Sequence, residues 1–416
     1  MFIAYVLECL YALFGKHLYY LFLLNLAPLY IGLIFLVCGL YIHFRSFFAL
    51  LPIAVLFVGN IYFQNFVQYH SFALPMLLFC AYSMLLFAIL APQKHKKARQ
   101  ILYFCIGFVF FIAILWRHNA IFSVFPAGFV IIYMWLSHRE LSRKVFLRAY
   151  GGGIFMFALL CLSIALCVPK ILTQGIAYPA NATFLHQIAA ACVPADDVTC
   201  FKEEWYAPNK TWEDVKALYE KYPLNADPFN VPWAYDNERP FVHTQLKGLK
   251  SQWIKAIVKY PHNFLLHELR FLKAMWIQKP GWIFNAKDIQ AKATHPWHIS
   301  VVEGFPQDER AIRFSPKREY IYDFLYQHRL LFNHLWGVLL SACVMILSFC
   351  LCCKRKYRNA LLLFSFSAGF AGFFSAIFIV SFTPMNETRY MSPILPLGIM
   401  ALIGFVSFVC DRLKQN

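Results

Sequence analysis

Apolar residues run almost unbroken through nine stretches of this chain, at residues 18–42, 47–66, 71–91, 100–116, 120–136, 149–168, 330–351, 360–383 and 391–410. Each is about 17 to 25 residues long, the length at which an α-helix crosses roughly 30 Å of hydrocarbon. The pattern predicts an all-α polytopic membrane protein with about nine transmembrane helices. A tenth apolar stretch, Phe2 to Phe14, would reach only about 20 Å as a helix. It reads as an interfacial helix, the alternative being a poor first span that would place the N-terminus inside.

Between the sixth and seventh runs the pattern changes. Residues 169–327 carry 17 of the 21 acidic side chains together with Pro and Asn punctuation, the composition of a folded soluble module with helices of its own rather than of a linker. The chain therefore divides into an N-terminal membrane domain over 1–168, a mainly helical soluble domain over 169–327 and a C-terminal membrane domain over 328–416. Thr211 and Asp214 form a capping-box start for a helix that ends near Pro223, and 244–260 reads as another helix. A third, over 262–276, gathers Leu265, Leu269, Leu272 and Trp276 on one face and turns His267, Arg270 and Lys273 away from it. That stripe either lies on the bilayer surface or packs inside the module. Of thirteen cysteines only Cys192 and Cys200 fall here. Without nearby third and fourth ligands they make a poor zinc site, and an oxidising compartment would join them as a structural disulfide. No metal site is expected. The remaining cysteines sit in apolar runs as small hydrophobes.

Composition agrees with the pattern. The chain is 60% hydrophobic, 19% aromatic and 14% charged, against roughly half apolar and a quarter charged in soluble domains. The formal charge of +17 would suit a nucleic-acid binder, but the basic residues sit in tight clusters between apolar runs, where they set topology instead. Lys94, Lys96, Lys97 and Arg99 fill one connector; Arg139, Arg143, Lys144 and Arg148 another; Lys354, Arg355, Lys356 and Arg358 a third; Arg412 and Lys414 close the tail. All four are cytoplasmic by the positive-inside rule. With nine spans, the turns at Arg117 and at 387–389 and the whole of 169–327 then face outward, into the periplasm of a bacterial inner membrane. Residues 1–17 also fall outside, which implies an upstream span, since the first apolar stretch lacks the basic n-region and cleavage site of a signal peptide.

No phosphate-cradling Gly-rich loop ending in Lys-Ser/Thr and no His-Glu-x-x-His occurs in the sequence, which disfavours ATP-driven transport and metalloprotease chemistry. Gly151 to Gly153 opens a span and is expected to allow close helix packing. What remains is a set of polar residues at the outer ends of spans. Arg117, His118 and Asn119 form one outer turn; Asn386, Glu387, Arg389 and Tyr390 form another; Asn65, Gln68, Tyr69 and His70 cap a third. Taken singly, each is equally well a topological or headgroup residue, because Arg at an interface snorkels at little cost. Two arginines at one mouth of the bundle suit a phosphate, whose oxygens a guanidinium pairs bidentately.

Trp116-Arg-His-Asn-Ala-Ile-Phe-Ser-Val-Phe-Pro126 resembles the Arg-x-Asn-Ala/Gly-hydrophobic-Pro stretch of bacterial membrane enzymes in the GT-C glycosyltransferase superfamily, which holds protein mannosyltransferases and lipid A aminoarabinose transferases. Glu387-Thr-Arg-Tyr-Met-Ser-Pro393 is similar to the Glu-x-Arg-Tyr-x-x-Pro element that opens their late span. Tyr5 to Asn25, with Phe14-Gly15 and Leu24-Asn25, is similar to their interfacial helix and second span, and Trp253 with Tyr260-Pro261 to a Trp-to-His-Pro stretch of the outer domain in some members. The similarity runs thinly over most of the chain through short motifs.

The resemblance implies transfer of a sugar from a polyprenyl-phosphate donor to a glycan, lipid or protein acceptor at the outer face, by inverting displacement and without a further cofactor. The leaving lipid phosphate needs cations, a role that falls to Arg117 and Arg389 with His118, Asn119 and Tyr390 as further binding residues. The acceptor hydroxyl needs a base. Here the chain departs from the family pattern, whose acid lies in a first outer loop after a first span, and the sequence shows neither. Glu8, Glu387 and His70 are the substitutes, with Asp196 and Asp197 of the soluble module behind them. Either the chain is truncated at its N-terminus, which would leave it inactive, or its chemistry has changed. On this reading the outer module is a disulfide-pinned lid or an acceptor-docking domain.

Two other classes compete. A surface-polysaccharide polymerase or O-antigen ligase also joins many spans to a large outer loop, but carries its key Arg and His in that loop. A transporter or flippase of lipid-linked glycans calls for broken or charged helices at mid-membrane and a two-halves repeat, neither of which the sequence displays.

Overall fold

The computed structural model describes residues 2–17, 19–45, 73–91, 96–137, 139, 141–172, 181–230, 238–277, 316–328, 334–357, 359–383 and 390–415. Helices dominate the described residues, which hold no strand and one isolated antiparallel bridge between Tyr206 and Phe241. Two compact units separate. One comprises Met1–Thr173, Lys279–Ala376 and Arg389–Asn416, the other Gln174–Gln278 and Ile377–Thr388.

The first unit contains α1 (Phe2–Phe14), α2 (Tyr19–Phe44), α3 (Ala73–Leu90), α4 (Lys96–Trp116), α5 (Ile121–Val124), α6 (Ala127–Ser137) and α7 (Arg143–Leu172). Further along the chain come α13 (Pro316–Gln327), α14 (His334–Cys353), α15 (Ala360–Phe382), whose last turns fall in the second unit, and α16 (Ile394–Gln415). Among the described residues six helices are long and apolar enough to cross a membrane: Leu26–Phe44, Lys97–Trp116, Arg143–Val168, His334–Cys353, Ala360–Ile379 and Ile394–Lys414. Leu74–Leu90 and Ile121–Ser137 are shorter apolar segments. This is an all-α membrane protein; the expected run 47–66 lies outside the described residues.

α3 is apolar on every side and buried on nearly every side, so it is the core helix that the others surround. α2 reaches it through small residues. A Cβ added at Gly32 would stand 2.9 Å from the Cys80 backbone, and one at Gly39 3.2 Å from that of Phe87. A second close crossing joins α14, α15 and α16, where Gly369, Gly372 and Gly398 pack around Ser341 and Gly337 meets the Leu395 backbone. Small residues at such crossings let backbones approach where lipid supplies no hydrophobic drive.

Three features depart from the sequence pattern. The run 120–136 is broken at Phe125–Pro126 into α5 and α6, because proline lacks an N–H and its ring clashes with the preceding turn. The Pro126 carbonyl accepts from the Phe129 N–H (3.1 Å) and from the Ser367 hydroxyl, which ties the break to α15 and satisfies it at depth. Secondly, α7 begins at Arg143 and runs thirty residues, about 45 Å and longer than the hydrocarbon. Thirdly, of the three glycines in it only Gly153 meets a neighbour, Ile132, whereas Gly151 and Gly152 face open space. Close packing therefore accounts for one glycine of the three, since α7 touches its neighbours along a single face with 6% of its apolar window buried.

The basic connectors gather at one end of this unit. His43 at the end of α2 bridges Asp411 on α16 (2.6 Å) and the Leu90 carbonyl at the end of α3 (3.3 Å). Arg412 donates to the Lys356 carbonyl (2.8 Å) and lies over Tyr357, and Lys414 lies over Phe44. α4 and α16 carry the chain from this end to Arg117 and Tyr390 at the other. α1 stops at Gly15, whose φ of 86° is open to glycine and whose N–H caps the Tyr11 carbonyl.

The second unit is built on α8 (Asn181–Cys192), with α9 (Trp212–Lys221), α10 (Asp227–Asn230), α11 (Leu249–Lys259) and α12 (Pro261–Ile277) packed around it. The Cys192–Cys200 disulfide is present and closes the end of α8. The Thr211 and Asp214 capping box starts α9 as its spacing predicts. The helix expected from 244 begins instead at Leu249, because Gly248 at φ 80° interrupts it. On α12 the buried face is His267, Phe271 and Met275, while Leu265 and Leu269 point outward. His267 therefore belongs to the core, opposite to its expected side.

Candidate functional site

The turn after α4 is a short 3-10 segment, His118–Ala120, leading into α5. α4 keeps its last hydrogen bond through the Arg117 N–H to the Ala113 carbonyl (3.2 Å), and the Ala120 N–H returns to the Arg117 carbonyl (2.9 Å). This tight reversal projects the Arg117 side chain sideways, where its guanidinium carbon sits 4.7 Å from the centroid of the Tyr390 ring. Residues separated by most of the chain are thus joined, as a guanidinium stacked on a phenol. Tyr390 is buried and Arg117 half-buried.

Asn119 follows in the same turn and is also buried, with its Oδ1 accepting no hydrogen bond. A buried amide oxygen without a partner is costly and is suited to a hydroxyl donor. Below it, Ser123 and Ser375 share a hydrogen bond of 2.7 Å, and the Tyr82 hydroxyl donates to the Ser123 carbonyl (2.8 Å). These contacts lock the turn onto α15 and the core helix α3. A stacked guanidinium uses its face on the ring while its N–H donors lie in its plane, and that geometry with an amide beside it suits an oxyanion and a hydroxylated ligand.

Of the residues predicted from sequence, the structure brings Arg117 and Tyr390 together, with Asn119 in the adjoining turn. The His118 backbone lies in the 3-10 segment, and its side chain lies outside the described residues, as do His70, Glu387 and Arg389. Glu8 stands on the exposed side of α1. Asp196 and Asp197 are bound into the module's framework. Asp196 accepts from the Trp212 indole (3.0 Å) and Lys216 (3.1 Å). Asp197 accepts from Lys259 (2.7 Å), Tyr260 (2.9 Å) and the Thr199 hydroxyl (2.7 Å), and the bond from Lys259 above all holds its carboxyl well below the usual range. Among the described residues one group has ligand-like spacing for a metal, Cys192, Asp197 and Cys200, and its two sulfurs are bonded to each other.

Sequence reasoning missed a buried polar cluster in the module. His186 on α8 and His267 on α12 have ring centroids 5.0 Å apart. Tyr219 shares a 3.2 Å hydrogen bond with His267, and Phe229 packs edge-on to His186. Burial drives both rings toward neutrality, His186 down to about 3 and His267 down to about 4. Nothing in the local sequence signals this pair, whose members are 81 positions apart.

Comparison with family models, with curated proteins and with solved structures finds no match to this chain.

Proposed function

We propose that this protein is a glycosyltransferase of the bacterial inner membrane that moves a sugar from a polyprenyl-phosphate carrier to an acceptor at the periplasmic face. The observation that carries the reading is the stacking of Arg117 on Tyr390 beside the buried Asn119, at the end of the bundle opposite the basic connectors. By the positive-inside rule that end is the outer one, where a lipid-linked phosphate is at the right depth.

In the proposed step the acceptor hydroxyl attacks the anomeric carbon as the bond from that carbon to the phosphate oxygen breaks. The electron pair leaves with polyprenyl phosphate, whose negative charge Arg117 and Arg389 stabilise. The hydroxyl proton passes to a base, for which Glu387, Glu8 and His70 are the candidates. Asn119 has an open acceptor for a sugar hydroxyl.

Purified protein in proteoliposomes, supplied with radiolabelled polyprenyl-phosphate sugar and an acceptor extract, tests the reading. Removing a single oxyanion donor costs on the order of 100-fold to 1,000-fold in rate, so Arg117→Ala with Arg389→Ala should abolish measurable transfer while leaving the protein folded. Transfer that survives the double substitution would sink the assignment.

A further inference from the structure

The two faces of the hairpin formed by α11 and α12 are chemically distinct. Both helices lean on α8: the Trp253 indole donates to Gln187 (2.8 Å), Gln187 donates to Glu268 (3.2 Å) and the Asn263 amide donates to the Ala191 carbonyl (2.9 Å). Their opposite sides are left apolar and exposed. Ile254 is 54% exposed, Val258 73%, Leu265 56% and Leu269 52%, with Leu266 and Ile277 beside them. Among the described residues of 181–277, Val198 is the one other large hydrophobic side chain so exposed.

Cations are threaded through this apolar surface. Helical spacing of four places Lys250 in line with Ile254 and Val258, and Lys273 between Leu269 and Ile277, while Arg270 follows Leu266. Residues 249–277 hold five basic side chains and one acid, against six basic and ten acidic over 181–248. The hairpin is thus the basic, apolar side of an otherwise acidic module.

We propose that this hairpin is a docking face for the surface of an anionic bilayer. An interfacial helix buries its leucines about 5–10 Å into the boundary between headgroups and acyl chains, and Lys and Arg extend apolar stems beside them while their charges meet lipid phosphates. A second copy of the chain fits less well, because a two-fold contact would set the same cations against one another. Twelve residues separate the end of the candidate span Arg143–Val168 from Asn181, so a bilayer is within covalent reach. The inference rests on exposure and charge alone and stands whether or not the protein transfers sugar.

The test uses the full-length protein carrying an environment-sensitive fluorescent amino acid at position 258 or 265, or at 213 as the reference. It is reconstituted in vesicles of phosphatidylcholine and phosphatidylglycerol with brominated acyl chains. Bromine is expected to quench positions 258 and 265 several-fold more than 213, and the excess should shrink in phosphatidylcholine alone. Leu265→Ser with Leu269→Ser, two exposed positions whose change leaves the core intact, should also weaken quenching at 258. Equal quenching at all three positions overturns the proposal. So does blue-shifted emission at 265 without bromine quenching, which would mark a protein contact instead, and quenching indifferent to phosphatidylglycerol overturns headgroup recognition.

Discussion

Acid should unfold the second unit well before its carboxylates protonate, because two imidazoles are buried neutral in its core. His186 is 2% exposed and His267 4%. His186 is enclosed by Tyr219, Phe229 and His267, and its Nε2 has no hydrogen-bond partner. The positive Arg270 adds a smaller push on His267 in the same direction as burial. An unfolded imidazole titrates near 6.5, the folded rings near 3 and 4. Between those values the unfolded chain binds more protons, so the contribution to stability is complete above about pH 6.5 and fades as the pH falls toward the folded values. At pH 4.5, two units below the unfolded value, each ring costs about 2.5 kcal/mol at roughly 1.4 kcal/mol per unit, and the pair about 5 kcal/mol. That is comparable with the whole stability of a small domain. Asp197 stays ionised in this window because its bonds hold its carboxyl well below the usual range. The assay is the urea midpoint for protease resistance of the 181–277 region in detergent-solubilised full-length protein at pH 7.5 and 4.5. His186→Leu, which keeps an apolar group in the space, should remove about half of the pH-dependent loss. A midpoint that does not move between the two pH values, or a variant that keeps the full dependence, refutes the reasoning.

Breaking the Cys192–Cys200 bond frees a loop with a sequence separation of 8, which by chain entropy should cost the module about 2.5 kcal/mol. Cys200→Ser should therefore lower the same urea midpoint at pH 7.5, and mild reduction of the native protein should match it. At the crossing of α14 and α15, Gly369→Ala would place a Cβ 2.8 Å from the Ser341 carbonyl oxygen and 3.0 Å from the Met345 nitrogen. Backbone atoms cannot swing aside, so a loss of about 1–3 kcal/mol is expected, seen as earlier thermal aggregation in detergent. Gly151→Ala, which meets nothing within 4 Å, serves as the neutral control.

Long, continuously apolar helices were readable from composition and length, because continuous apolar sequence is what a bilayer selects. The run 100–116 and the helix Lys96–Trp116 coincide to within a few residues, as do 360–383 and Ala360–Phe382. Where local chemistry competed with that pattern, the pattern misled. Pro126 breaks an apolar run that hydropathy counts as continuous, and Gly248 delays a helix that periodicity would start at 244. α8 escaped notice for the opposite reason. Almost every one of its residues is buried, including Asn181, His186 and Gln187, so it shows no alternation of polar and apolar faces, and its Ala-rich centre speaks only through intrinsic propensity.

The candidate site was legible as residue types and not as partnerships. Arg117 and Tyr390 drew attention because polar groups at span ends are few, and positive-inside counting put both at one end, yet only the packed helices bring the guanidinium onto that ring. Asn119 looked like one polar residue among several; its buried, unpartnered oxygen becomes visible only once α5 and α15 close around the turn. The hairpin helix 262–276 makes the same point from the other side. Periodicity grouped Leu265 and Leu269 correctly onto one face, but a hydrophobic stripe does not say whether protein or lipid covers it. The opposite face shows which side packs: His267, Phe271 and Met275 fill the contact with α8, and Leu265 and Leu269 are left exposed. The place of His267 in the core thus decides which way the stripe turns, since a helix that buries one face exposes the other.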